Sequence, residues 1–113
     1  MNYKTILEVL KKSWSEESSS KYEAGNPSKG QCSVTAIVIQ RKFGGNILKT
    51  KINGNWHYYN QISNLIYDFT FEQFEFEIEY ESKISSLEDA LTDCNLSQVA
   101  ALWTRFNKII KMN

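Results

Sequence analysis

Charge of one sign is missing from this sequence: thirteen Lys and Arg balance thirteen Asp and Glu. That balance removes the global electrostatic pull toward nucleic acid or anionic lipid. Long hydrophobic runs are missing too. The longest aliphatic stretch, Ala36-Ile37-Val38-Ile39, falls far short of the roughly 20 residues that a membrane helix needs, so no membrane span is expected. No apolar signal-peptide core follows Met1-Asn2-Tyr3-Lys4, which predicts a cytoplasmic address. Two cysteines make too thin a disulfide framework and read as thiols. With one histidine besides, and no CxxC or HxxxH spacing, a structural zinc site is not expected. A GxSxG elbow and a phosphate loop are also absent, and no cofactor is implied.

What remains, 113 residues at 42% hydrophobic and 13% aromatic, suits a single globular domain over residues 1–113 and is too apolar for a disordered chain. Tyr3, Ile6, Leu7, Leu10 and Trp14 recur at helical spacing and predict a first amphipathic helix that ends near Trp14. Ser15 to Gly30 is polar and holds the only proline, Pro27. It reads as a long surface loop, of a length that is often functional. From Cys32 to Phe43 the apolar residues define a mostly buried central helix, closed by Gly44-Gly45.

The segments Ile47–Ile52 and Trp56–Ile62 flank Asn53-Gly54, the strongest short hairpin signal. A second turn around Ile62 to Asn64 leads into a third strand, Leu65–Phe69, and Thr70 with Gln73 has the spacing of a short capped helical turn. Phe74, Phe76, Ile78 and Tyr80 then alternate with Glu75, Glu77, Glu79 and Glu81, which predicts a half-buried strand whose glutamate face defends a sheet edge. Ser86 with Asp89 and Asn95 with Gln98 mark the starts of two C-terminal helices. The expected class is therefore α+β, with a central helix packed on a three- to four-stranded antiparallel sheet between N- and C-terminal helices. Charge is uneven along it: residues 1–67 carry nine basic and four acidic side chains, and residues 68–93 carry nine acidic and one basic.

The chemistry-bearing set is Cys32, His57 and Asp68. A cysteine that starts a helix feels the positive end of the macrodipole and free N–H groups, which favours thiolate and can hold an oxyanion. His57, the only histidine, lies on a strand. Cross-strand residue numbers have a constant sum, so a turn centred on Ile62-Ser63 puts His57 opposite Asp68, whereas a turn at Ser63-Asn64 makes them diagonal neighbours on one face. In either case the carboxylate can orient the imidazole. A polar cross-strand contact that only stabilises the hairpin is the alternative. Trp14, Gln31, Tyr59 and Asn60 are candidate substrate-binding or oxyanion residues, each with an ordinary structural role beside it. Cys94 has no second histidine to activate it and reads as structural.

Several motifs resemble a known group: Ser13-Trp14-Ser15, Asn26-Pro27-Ser28-x-Gly30-Gln31-Cys32-x-Val34-Thr35-Ala36, Phe43-Gly44-Gly45, Trp56-His57-Tyr58-Tyr59-Asn60 and Tyr67-Asp68-Phe69-Thr70-x-x-Gln73-Phe74. Together and in this order they are similar to the YunG-like family of small bacterial proteins, which carries no assigned activity. More remotely, a helix-starting Cys followed by His-x-aromatic and Asp-x-Thr on strands resembles the core of transglutaminase-like and papain-like thiol enzymes. That resemblance implies Cys32 as nucleophile, His57 as general base and acid, Asp68 as orienter, and acyl transfer from a peptide, protein or small amide to water or an amine. The alternative is a non-catalytic peptide- or protein-binding module rimmed by Trp56, Tyr58 and Tyr59. No nucleic-acid or membrane partner is expected. The chain is expected to be a monomer or a weak homodimer closed through the Phe74–Tyr80 strand.

Overall fold

A computed structural model describes residues 2–112. Helix α1 (Tyr3–Ser13) starts at Asn2, whose side chain accepts from the Thr5 N–H at 3.0 Å. It ends at Trp14, whose backbone turns extended. Irregular turns fill residues 14–31. Helix α2 (Cys32–Phe43) is buried continuously from Cys32 to Ile39, because it lies between the sheet on one side and the C-terminal helices on the other. An all-round apolar surface is what a helix covered on every side requires. Gly44 (φ +82°) stops α2, and Gly45 (φ +80°) lies so close to the Gln61 carbonyl that no Cβ fits there.

Strands β1 (Asn46–Ile52), β2 (Asn55–Ile62) and β3 (Leu65–Tyr67) form an antiparallel meander. Asn53 (φ +50°) and Gly54 (φ +83°) both take the left-handed conformation that a two-residue hairpin turn demands. Ser63 (φ +51°) and Asn64 (φ +66°) repeat it at the second turn. Ile62 therefore pairs with Leu65, and the ladder ends at Asn60 with Tyr67. A 3-10 turn (Phe71–Gln73) follows. Strand β4 (Lys83–Ile84) adds antiparallel to β1 and completes a four-stranded sheet in the order β3-β2-β1-β4. Helices α3 (Leu87–Ala90) and α4 (Leu96–Ile110) close the chain, the latter behind a complete Asn95/Gln98 capping box.

The α+β class and antiparallel sheet expected from the sequence are present. The expected strand at Phe74–Tyr80 is not: that segment is irregular, with bends at Glu75 and Phe76, and the fourth strand lies later, at Lys83–Ile84. Its alternation has another cause. Side chains rather than a ladder hold it, with Thr50 Oγ1 donating to the Glu79 carbonyl at 3.1 Å and the Glu81 N–H donating to Thr50 Oγ1 at 2.9 Å. The third strand also ends two residues earlier than Phe69. One apolar cluster joins α1, α2, α4 and the inner face of β1 and β2. Arg105 of α4 donates to the Ser13 carbonyl at 2.8 Å and so ties the ends of the outer helices together. No helix among the described residues is long and apolar enough to cross a membrane.

Candidate functional site

Cys32 is the first residue of α2 and is 9% exposed. Its approach is fixed by the turn before it. Ser18 Oγ donates to Gln31 Oε1 at 2.8 Å, Gln31 Nε2 donates to the Ser15 carbonyl at 3.3 Å, and the Gly30 N–H donates to Gln73 Oε1 at 3.2 Å. No side chain caps the helix start. The local expectation of a thiol shifted toward thiolate is overturned: burial pushes the Cys32 thiol up to about 12. Hydrogen bonds from the Tyr58 and Ser33 backbone N–H groups pull it down, and the nearby charges of Asp93 and Asp68 push it further up. Removal from water outweighs the helix terminus because the charged form loses its whole hydration shell.

His57 and Asp68 come from the second turn. The β2–β3 register places His57 diagonally from Asp68, as a turn at Ser63-Asn64 requires. His57 Nε2 and Asp68 Oδ2 are 2.7 Å apart, both side chains being buried. Asp68 is surrounded by further donors: Tyr80 Oη at 2.7 Å on Oδ2, and the Thr70 N–H at 3.1 Å and Thr70 Oγ1 at 3.3 Å on Oδ1. Phe74 packs edge-on against the imidazole, with centroids 5.1 Å apart, and Tyr59 stacks on it at 5.9 Å. With Nε2 committed to the carboxylate, His57 Nδ1 is left buried and, among the described residues, without a hydrogen-bond partner. An orphaned imidazole nitrogen in a packed interior is uncommon enough to require a reason.

Cys32 and His57 line the same cavity, of about 370 Å³, whose walls include Trp56, Gln73, Phe74, Asp93 and Cys94. The four residues offered as substrate-binding or oxyanion candidates do not line it. Trp14 is buried, with its indole N–H on Thr35 Oγ1 at 2.8 Å, and it borders a neighbouring cavity of about 530 Å³ with Pro27, Ser28 and Phe69. Gln31 is spent on the Ser15–Ser18 turn. The Tyr59 hydroxyl accepts from the Ser82 N–H at 2.8 Å and donates to Ser82 Oγ at 3.1 Å. Asn60 Nδ2 donates to the Ala36 carbonyl at 2.9 Å and so links β2 to α2. Of the expected aromatic rim, Tyr58 and Tyr59 are interior and Trp56 alone faces the cavity. Lys49, Lys51 and Lys83 stand 4.3, 5.3 and 5.4 Å from its ring.

Sequence reasoning missed Tyr80, Thr70 and Phe74 as partners of the pair, and Cys94 as a wall of the cavity. Their signal was the alternation itself, which set Phe74 and Tyr80 on one face. Burial raises the Cys94 thiol as well, with the Ser33 hydroxyl beside it pulling down and Asp93 pushing up. Among the described residues no group of three or more His, Cys, Asp or Glu side chains is placed to hold a metal ion.

Comparison with known proteins adds a lineage. A family profile described as "YunG protein" matches residues 2–111. A Bacillus subtilis (strain 168) protein described as "Uncharacterized protein YunG" is 50% identical over 100 residues, covering 88% of this chain and 87% of the other. No solved structure matches the chain.

Proposed function

The chain belongs to the YunG family, and on that premise we propose that it is a cysteine-dependent acyl transferase or amide hydrolase in which Cys32, His57 and Asp68 act together. The observation that carries the reading is the orphaned His57 Nδ1: Nε2 is held by Asp68 at 2.7 Å, while Nδ1 is buried, unpartnered and part of the residue that shares a cavity with Cys32. A carboxylate can only accept, so the ring hydrogen belongs on Nε2 and the Nδ1 lone pair is open for a thiol proton.

The chemistry follows from a thiol that is neutral at rest. As an amide carbonyl carbon meets Cys32 Sγ, the S–H proton passes to His57 Nδ1, the S–C bond forms and the carbonyl oxygen becomes an oxyanion. The Ser33 and Tyr58 backbone groups, whose hydrogen bonds favour a charged sulfur, are the donors that would meet that charge. Collapse expels the amine, which takes the proton from Nδ1 and leaves a thioester on Cys32. Water or a second amine then attacks the thioester, returns its proton through Nδ1 to sulfur, and releases a carboxylate or a new amide. The protein thus resembles a papain-like or transglutaminase-like thiol enzyme in the roles of its groups. A second reading, a non-catalytic peptide- or protein-binding module, is favoured by one observation, the burial that holds the thiol neutral.

An activated acyl ester separates the two. Mass spectrometry after incubation with a p-nitrophenyl ester is expected to find acyl groups on Cys32 and none at that position in Cys32→Ser thioester analysis. The rate at Cys32 is expected to fall by about 10²- to 10⁴-fold in His57→Ala, the span of general-base catalysis. Acylation of Cys94 in preference to Cys32, or a His57→Ala rate equal to that of the unmodified protein, would sink the enzymatic reading.

A further inference from the structure

The cavity of about 530 Å³ beside Trp14 adjoins the Cys32 cavity through two shared walls, Lys29 and Gln73. Gln73 stands at the divide: its Nε2 donates to the Thr70 carbonyl at 3.1 Å, and its Oε1 accepts from the Gly30 N–H at 3.2 Å. The partition is thus tied on one side to the residue that holds Asp68 and on the other to the turn that leads into Cys32. Beyond it, the buried side chains of Trp14 and Phe69 join Pro27 in an apolar wall. Ser28 lines the same cavity and is 3% exposed, and its Oγ has no hydrogen-bond partner among the described residues. A buried hydroxyl left unbonded is costly, and a ligand group can supply what it lacks. The charges around the cavity are also unequally paired. Lys11 is 3.2 Å from Glu72 and Lys29 is 2.5 Å from Glu23, whereas Glu75 is in no ion pair among the described residues. The charge left over at the rim is therefore negative.

We propose that this second cavity binds the free amino terminus of a peptide together with an apolar first side chain, and that a later amide of the same peptide passes Gln73 to reach Cys32. The second half of that statement rests on the thiol reading; the first does not. The apolar side chain leaves water for the wall of Trp14, Pro27 and Phe69. The ammonium group meets the unpaired Glu75 carboxylate, and the Ser28 hydroxyl is free to donate to a peptide carbonyl. A volume of about 530 Å³ lies within the usual range of small-ligand sites and suits one or two residues. Attack by Cys32 then leaves the amino-terminal fragment on sulfur as the thioester. The carboxyl-terminal fragment departs as an amine with the proton from His57, and water releases the short fragment as a carboxylate.

Binding is separated from chemistry in Cys32→Ala protein, titrated calorimetrically with phenylalanyl-alanyl-alanine amide and with its N-acetyl form. The free peptide is expected to bind, and the acetyl form to bind about three- to tenfold more weakly. Glu75→Gln is expected to bring the two peptides within about twofold of each other. Ser28→Ala is expected to weaken the free peptide by about two- to tenfold, while the urea midpoint of the unbound protein stays level or rises, because the hydroxyl has no partner to lose. On binding, the Trp14 indole N–H signal is expected to shift more than that of Trp103 on the outer helix. No binding of the free peptide, equal binding of the acetyl form, an undiminished preference in Glu75→Gln, or Ser28→Ala that lowers the midpoint without touching affinity would each overturn the cavity assignment. Binding as expected, with no acyl group on Cys32 and no fragment released by the unmodified protein, would instead overturn the thiol reading.

Discussion

Tyr80 Oη donates to Asp68 Oδ2 at 2.7 Å, on the oxygen that also faces His57 Nε2. Burial raises the Tyr80 hydroxyl above its ordinary range, and the Asp68 charge and hydrogen bond raise it further, so it remains a donor under any physiological condition. Tyr80→Phe removes that donor and leaves the ring in place. Because hydrogen bonds to charged groups are worth about 1.5–3 kcal/mol and this one is only partly buried, a loss of about 1–2 kcal/mol is expected. The urea midpoint should fall at unchanged slope. Acylation of Cys32 should slow by much less than in His57→Ala, since Thr70 and His57 still hold the carboxylate. An unchanged midpoint would show that Tyr80 merely rests against Asp68.

Alkaline pH should unfold this protein through its buried neutral groups. Burial raises Cys32 from 9.0 to about 12, and burial with Asp68 and Glu72 nearby raises Tyr3 from 10.0 to about 12. Raised folded-state values favour the protonated forms. The stability they lend is therefore complete below about pH 9 and is lost as pH climbs toward 12. For Cys32 the ceiling of that loss is about 4 kcal/mol. Cys32→Ala is expected to show a shallower decline in unfolding free energy over the same window. Iodoacetamide labelling of native Cys32 should likewise rise through it rather than level off near the ordinary thiol value of about 8.5. A plateau below that value would mean a standing thiolate and a wrong picture of the resting site.

Much of the fold was legible because its signals are local. The periodicity of Tyr3 to Trp14, the Gly44-Gly45 stop, Asn53-Gly54 and the Asn95/Gln98 box each report geometry within a few residues, and each lies where expected. The His57–Asp68 pairing was legible for the same reason, since parity across one short turn fixes a shared face. The Phe74–Tyr80 segment was misread because alternation shows only which residues would share a face, and no neighbouring strand supplies hydrogen bonds to it. Cys32 was misread because a helix start is visible in sequence, whereas the packing that buries the thiol, and the Asp93 and Asp68 charges near it, come from segments distant in the chain. Tyr59 and Asn60 were offered together, yet only Tyr59 shares the His57 face, where it stacks on the imidazole. A strand sends neighbours to opposite faces, and Asn60 faces α2 instead.

That placement makes Asn60 a useful control. Its Nδ2 reaches the Ala36 carbonyl from the far face of β2 and is buried. Asn60→Ala is expected to lower stability by about 1–3 kcal/mol through the lost buried hydrogen bond. Below the unfolding transition, the acylation rate of Cys32 should stay within about threefold, because no reacting atom is touched. A large rate loss in protein shown by circular dichroism to be folded would restore Asn60 to the site.

Asp68→Asn tests the role of the carboxylate with little change in shape. The Thr70 N–H and hydroxyl fix one oxygen as an acceptor, so the amide oxygen of the variant stays toward Thr70 and its NH₂ turns to His57 Nε2. An NH₂ donates, which drives the imidazole hydrogen from Nε2 to Nδ1 and fills the lone pair meant for the thiol proton. Acylation of Cys32 is expected to drop by about 10²- to 10⁴-fold while the protein stays folded. Nitrogen NMR of labelled histidine should show the hydrogen on Nδ1 in the variant and on Nε2 in the unmodified protein. A slow variant whose hydrogen remained on Nε2 would locate the defect in packing, and a fast variant would mean that Asp68 serves the hairpin alone.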